Sequence, residues 1–245
     1  MSASLVQSSG KQVVTFSSVN PTYTLSGVTG GNTILVLVNY LDTSNNSNIP
    51  VSVSDAGGTY TPDLQINAAN APGRHNSASL YSFFNAASGI HTLTFTRGVG
   101  ATNVYWVYEV LEVAGLPLTN SLDAASTTNF GASTGPVNVG GSVLTRANGF
   151  AVVMSVNQNA NNPVSIYPPQ IGSSGGVPVY NGLYTGTTDF PSASAGYLIP
   201  TTTAALGADF GTLATATGWG TLCGYYNPAV AGSTSNQGTS LRGCQ

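Results

Sequence analysis

The stretch from Val51 to Gly115 alternates apolar and polar residues and is broken at short intervals by Gly, Asn and Asp. It opens VSVSDAGGTYTPDL, continues as SASLYSFFNAASGIHTLTFT and closes as VYWVYEVLEVAG. Successive side chains on a strand point to opposite faces of a sheet. A period of two between turn residues therefore marks half-buried antiparallel strands. Two runs lose the alternation and become continuously apolar: TILVLVNY at 33–40 and FAVVMSVNQ at 150–158. Each follows a glycine turn and ends in polar residues, as a strand covered on both faces would. Their likeness suggests two pseudo-related halves, roughly 1–125 and 126–230.

Further strands are expected at Gln12–Ser17, Tyr23–Leu25, Ser79–Asn85, 91–96 and Val104–Ala114, with two more between Ala208 and Asn227. Residues 65–74 read as a loop around Pro72-Gly73, 118–133 as an irregular crossing loop, and 173–200 as a long surface excursion. Helical periodicity is almost absent. The expected fold is all-β: an antiparallel β-sandwich, jelly-roll-like, over 1–230, with long loops and an irregular C-terminal tail at 231–245.

Charged residues make up 5% of the 245, with a single lysine, Lys11, and a formal net charge of −3. An ordinary globular chain carries roughly 25%. So few cations cannot neutralise a run of phosphates, which argues against nucleic acid as a partner. No basic amphipathic helix or apolar run of about 18 residues offers itself to a membrane. The start, MSASLVQSSGKQVV, has no basic region followed by an apolar stretch, and reads as cytosolic synthesis. Sheet edges are commonly guarded by lysine. Here the edges must be covered by an assembly or else blunted by bulges, prolines and loops. The tail holds one apolar anchor, Leu241, and one charge, Arg242, and both are candidate assembly contacts.

Chemistry-bearing residues are scattered. Glu109 and Glu112 lie three apart on one strand, so they face opposite ways. Glu112 is expected to accept backbone N–H groups of the turn at Ala114-Gly115. His75 and His91 have no ligand-spaced neighbours, and Cys223 and Cys244 form no zinc spacing. Those two cysteines read as thiols, with a disulfide as the alternative. Asp42, Asp55 and Asp123 sit in expected loops, where Asx-turns are favoured over a calcium site. Tyr180, Tyr184, Tyr197 and Trp219 read as packing residues ahead of a sugar-stacking platform. No metal and no cofactor is expected.

Residues 32–40, VSVSDAGGTYT at 51–61, SFFNAASGIHTLTFT at 82–96, EVAG at 112–115 and SLDA at 121–124 resemble a β-sandwich module of bacteriophage virion and bacterial surface proteins. The matching turn positions are Asp55, Gly58, Tyr60, Ser88, Gly89, Glu112, Gly115, Leu122 and Asp123. No catalytic residue travels with the resemblance. It implies a non-enzymatic virion structural protein, a capsid decoration or accessory protein assembled in the host cytoplasm. Its partners would be other virion proteins and further copies of itself, in a homo-oligomer or lattice. The alternative is a receptor-binding or carbohydrate-binding module of a phage tail or bacterial surface, taking a surface glycan.

Overall fold

The computed structural model describes residues 1–17, 19–42, 52–71, 74–97, 104–133, 138–157, 181–184, 192–203, 205–210 and 217–230. Among them there is no helix. The strands are β1 (Ser4–Ser8), β2 (Gln12–Ser17), β3 (Thr22–Val28), β4 (Thr33–Asp42), β5 (Ser52–Asp55), β6 (Gly58–Thr59), β7 (Thr61–Ala71), β8 (Arg74–Phe83), β9 (Gly89–Thr96) and β10 (Val104–Ala114). They continue as β11 (Leu122–Ser133), β12 (Asn138–Val143), β13 (Phe150–Asn157), β14 (Asn181–Tyr184), β15 (Ser192–Leu198), β16 (Ala205–Asp209) and β17 (Thr217–Tyr226). Every pairing is antiparallel.

The strands pair from the outside inward. β1 and β2 pair β10, β3 pairs β9, β4 pairs β8, and β5 pairs β6. This nested pairing is the winding of a jelly roll. It gives a six-stranded sheet in the order β1-β10-β4-β8-β7, with β2 also on β10, and a four-stranded sheet in the order β3-β9-β5-β6. The same rule recurs further along. β11 pairs β17, β12 pairs β16, and β13 pairs β15, with β14 outside β15 as β7 is outside β8. The result is a five-stranded sheet, β11-β17-β13-β15-β14, and a two-stranded one, β12-β16.

The six-stranded sheet lies between two others, which explains why 33–40 lost its alternation. Ile34, Val36, Val38 and Tyr40 pack with Trp106 and Val110 against Leu25, Val53, Leu93 and Phe95 of the four-stranded sheet. Leu35, Leu37, Leu80, Val107 and Leu111 face the other way, onto Phe150, Val152, Met154 and Leu222 of the five-stranded sheet. All of β4 is consequently buried. Gly224 lies at this second interface, where a Cβ would press on Leu80.

The expected loop at 118–133 is mostly β11, and of the expected loop at 65–74, residues 65–71 belong to β7 and Arg74 opens β8, its partner. The expected excursion at 173–200 contains β14 and β15. Of these, β15 pairs both β13 and β14, and Ala193 and Ala195 lie in the core. Small residues hid these strands, because burial in a tight interface needs little volume from each side chain. Asp42 and Asp123, read as loop residues, lie on β4 and β11.

Register shifts fall on edge strands. They occur where β1, β2, β3, β7, β11, β14 and the β12–β16 pair meet their neighbours. The interior pairings β10–β4, β4–β8, β13–β15, β13–β17 and β5–β9 have none. The remaining edge, β6, is two residues long. A bulge twists an edge and spoils it as a template for another strand. A bulged edge is a poor template for strand pairing even where lysine is scarce.

Candidate functional site

Several sequestered titratable side chains are held at turns and strand ends, and Glu109 is held in the middle of β10. Asp55 ends β5. Its Oδ1 accepts the N–H groups of Gly57 at 2.7 Å and Gly58 at 3.2 Å, the first of these an Asx-turn. Gly58 adopts φ 146°, open to glycine and rarely to other residues, over the ring of Phe83. Asp55 Oδ2 accepts from Tyr60 Oη at 3.1 Å and from His91 Nδ1 at 2.5 Å. Tyr60 stacks on Phe83 with centroids 4.9 Å apart.

His91 Nε2 meets the carbonyl oxygen of Ala87 at 2.9 Å. Both ring nitrogens therefore face acceptors, which only the imidazolium satisfies. Burial works against that charge, but the Ala87 carbonyl and the Asp55 carboxylate outweigh it, and the His91 pKa lies above its ordinary value. The pair is sealed, with the His91 side chain 7% exposed and that of Asp55 1%. Gly89, at φ 124°, opens the strand that carries His91.

Glu112 and Glu109 do face opposite ways from β10. Glu112 Oε1 accepts the Thr29 N–H at 2.8 Å and Asn32 Nδ2 at 2.6 Å, and Oε2 accepts Gln7 Nε2 at 2.5 Å. It thus braces the turn between β3 and β4, not the Ala114-Gly115 turn expected from its position in the chain. Burial disfavours its charge, yet these donors prevail and its pKa falls below the ordinary value. Glu109 enters the interface with the five-stranded sheet. Its Oε1 accepts from Ser8 Oγ, while its buried Oε2 has no protein partner. Burial dominates there and raises its pKa.

Gly115, at φ 80°, ends β10 where a Cβ would strike Ser2 and Ala3. Asp123 accepts the N–H and the hydroxyl of Thr145, both at 2.8 Å, and Thr145 Oγ1 accepts from Asn227 Nδ2 at 3.2 Å. A further acid, Asp63 on β7, escaped sequence reasoning. It accepts from Tyr226 Oη at 2.6 Å, joining β7 to β17 across the interface. Burial raises its pKa while bonds from Tyr226 and Asn120 oppose the rise.

Among the described residues no three His, Cys, Asp or Glu side chains converge as a metal site would require. Trp219 is buried, and Tyr197 stacks on Phe150 with centroids 5.3 Å apart, so both pack inward. Cys223 is buried on β17. Leu241, Arg242, Cys244 and Tyr180 lie outside the described residues, as do the side chains of His75 and Tyr184. Protein-family models, curated proteins and solved structures were compared with the chain, and none matches.

Proposed function

We propose that this chain is a non-enzymatic structural protein of a bacteriophage particle, a decoration or accessory protein of the head. The observation that carries the reading is the jelly-roll winding, whose pairing rule recurs in the second half and whose broad sheets stack face to face. Jelly rolls recur in viral capsid and lectin domains. This inference from fold joins the resemblance of the turn motifs to a phage module. Asp55, Glu112 and Asp123 support the same reading, because their oxygens are spent on bracing turns and not on an open cleft. We read residues 1–125 and 126–230 as related halves on the same grounds.

The partners in this reading are other virion proteins and further copies of this chain. Bulged edges make continuous strand addition an unfavourable route, which leaves the faces, the ends and residues 231–245, with Leu241 and Arg242, as contact regions. The full-length protein and a version ending at residue 230 are to be added to particles stripped of it. Rebinding of the full-length chain, and weaker rebinding of the truncated one, is expected. Failure of both to bind such particles contradicts the assignment.

A further inference from the structure

The loop from Thr145 to Gly149, between β12 and β13, ties several segments of the chain together. The Thr145 N–H donates to Asp123 on β11. The Arg146 carbonyl accepts from Tyr225 Oη on β17 at 2.6 Å. The Asn148 N–H donates to the Pro200 carbonyl at 2.6 Å, and the Asn148 carbonyl accepts the Ala3 N–H at 2.8 Å. The Gly149 N–H donates to Tyr225 Oη at 2.9 Å in a buried contact. Asn148 thus holds the segment ahead of β1 to the loop that leads into β13.

Asparagine followed by glycine is the pairing most open to deamidation, because glycine has no side chain to obstruct attack. The nitrogen of the following residue attacks the asparagine Cγ. An N–C bond forms, the Cγ–Nδ2 bond breaks, and ammonia leaves. The cyclic imide then takes up water to give aspartate or isoaspartate. Isoaspartate carries the chain through its side-chain carbon, so the backbone becomes longer. This lability is one reason asparagine is scarce in heat-stable proteins.

The Asn148 side chain is exposed, so water has access and the barrier lies in the backbone. The peptide unit between Asn148 and Gly149 is planar and is pinned at both edges, its oxygen by Ala3 and its N–H by Tyr225. Any reorientation of that unit toward Cγ breaks both bonds. The proton that the attacking nitrogen must give up is the one held by Tyr225 Oη. Asn148 itself sits at φ 64°, a left-handed conformation that asparagine tolerates. The product has no room either. A Cβ on Gly149 would collide with the Tyr226 carbonyl oxygen and with Tyr225 Oη, so a lengthened backbone does not fit.

We propose that Asn148-Gly149 is a deamidation site that Tyr225 holds shut in the folded chain, and that its isoaspartate form cannot re-enter the native loop. The device works in one direction. Local opening exposes the site to reaction. The reaction then prevents closure and releases the segment ahead of β1 from its Asn148 anchor.

The test follows conversion at Asn148 in the full chain at mildly alkaline pH, by mass spectrometry of chymotryptic peptides, which separate this site from the Asn-Gly at 181–182. Conversion in the folded chain should be at least about tenfold slower than in urea, since closure must first be undone. Tyr225→Phe leaves the Gly149 N–H and the Arg146 carbonyl without their partner. It should speed conversion roughly tenfold to a hundredfold, with circular dichroism unchanged. If that variant does not fold, hydrogen exchange at the Gly149 amide of the unaltered chain replaces it, and strong protection is expected. Chain aged in urea to isoaspartate and refolded should melt below unaged chain treated alike, whereas Asn148→Asp, which adds the charge without lengthening the backbone, should melt close to the parent. Equal conversion in the folded and urea-treated chains overturns the proposal. So does a folded Tyr225→Phe that converts no faster than the parent, or a Gly149 amide that exchanges as in an unfolded chain. An isoaspartate form that regains the parent Tm overturns the one-way device.

Discussion

His91 donates from Nδ1 to Asp55 Oδ2 across 2.5 Å, joining strands whose residues lie 36 positions apart in the chain. The upward shift of His91 fixes the direction of its pH dependence. Its contribution is fully present below the ordinary histidine pKa of about 6.5 and is lost as pH rises through the higher folded value. His91→Gln should therefore cost most near pH 5 and progressively less toward pH 9. Asp55→Ala, which strands the imidazolium and frees the turn, should cost about 3 kcal/mol. Urea unfolding across that range checks both, and a His91→Gln deficit that grows with pH would contradict the imidazolium.

Glu109 and Glu112 should respond to pH in opposite senses although they share β10. Glu109, raised by burial, weakens the fold as pH climbs from about 4.5 through its folded pKa. Glu109→Gln should gain roughly 2 kcal/mol at pH 8 and nothing at pH 4. Glu112, lowered by its donors, stabilises above its ordinary pKa, and that contribution disappears as pH falls through the folded value. Glu112→Gln should cost about 2 kcal/mol at pH 8, since its Oε2 and Oε1 receive three hydrogen bonds. Paired stability curves for the two variants would decide the matter.

Glycine substitutions separate backbone cost from space. Gly10, at φ 62°, has open space around a Cβ, so Gly10→Ala should lose only about 1 kcal/mol. Gly115, at φ 80°, adds a collision with Ser2 and with Ala3 Cα at 3.1 Å, and Gly115→Ala should lose at least about 3 kcal/mol. Equal losses in guanidinium unfolding would mean that the N-terminus gives way without penalty.

Much of the sandwich was legible because strands covered on both faces advertise themselves. Residues 33–40 carry Ile34, Leu35, Val36, Leu37 and Val38 in sequence, a pattern that few other structures bury. β15 was illegible because Ser, Ala and Gly bury without looking apolar. Ser155 pairs with Ser194 and with Thr221, forming a buried hydroxyl row that sequence alone reads as surface. The Asx-turn at Asp55 was readable from DAGG, since its donors are two and three residues away. His91 as its partner was not, because the contact is made by folding. Glu112 illustrates the same limit: its donors, on Gln7, Thr29 and Asn32, lie far from the neighbouring turn.

The edge bulges make a direct prediction. Leu5 pairs Val113 and Gln7 pairs Glu112, so Val6 is the extra residue of the β1 bulge. Deleting Val6 should leave the domain folded while straightening an edge that carries no lysine, and sedimentation should then show concentration-dependent association beyond that of the parent. A deletion variant that associates no more than the parent would mean that the bulges do not guard the edge.

The most direct test of the structural-protein assignment is the stoichiometry of this chain, by quantitative mass spectrometry, in particles purified through successive density gradients. The account predicts a fixed ratio to the main shell protein that is unchanged from one gradient to the next. A ratio that falls toward zero with purification, with the chain recovered in the soluble fraction, contradicts it.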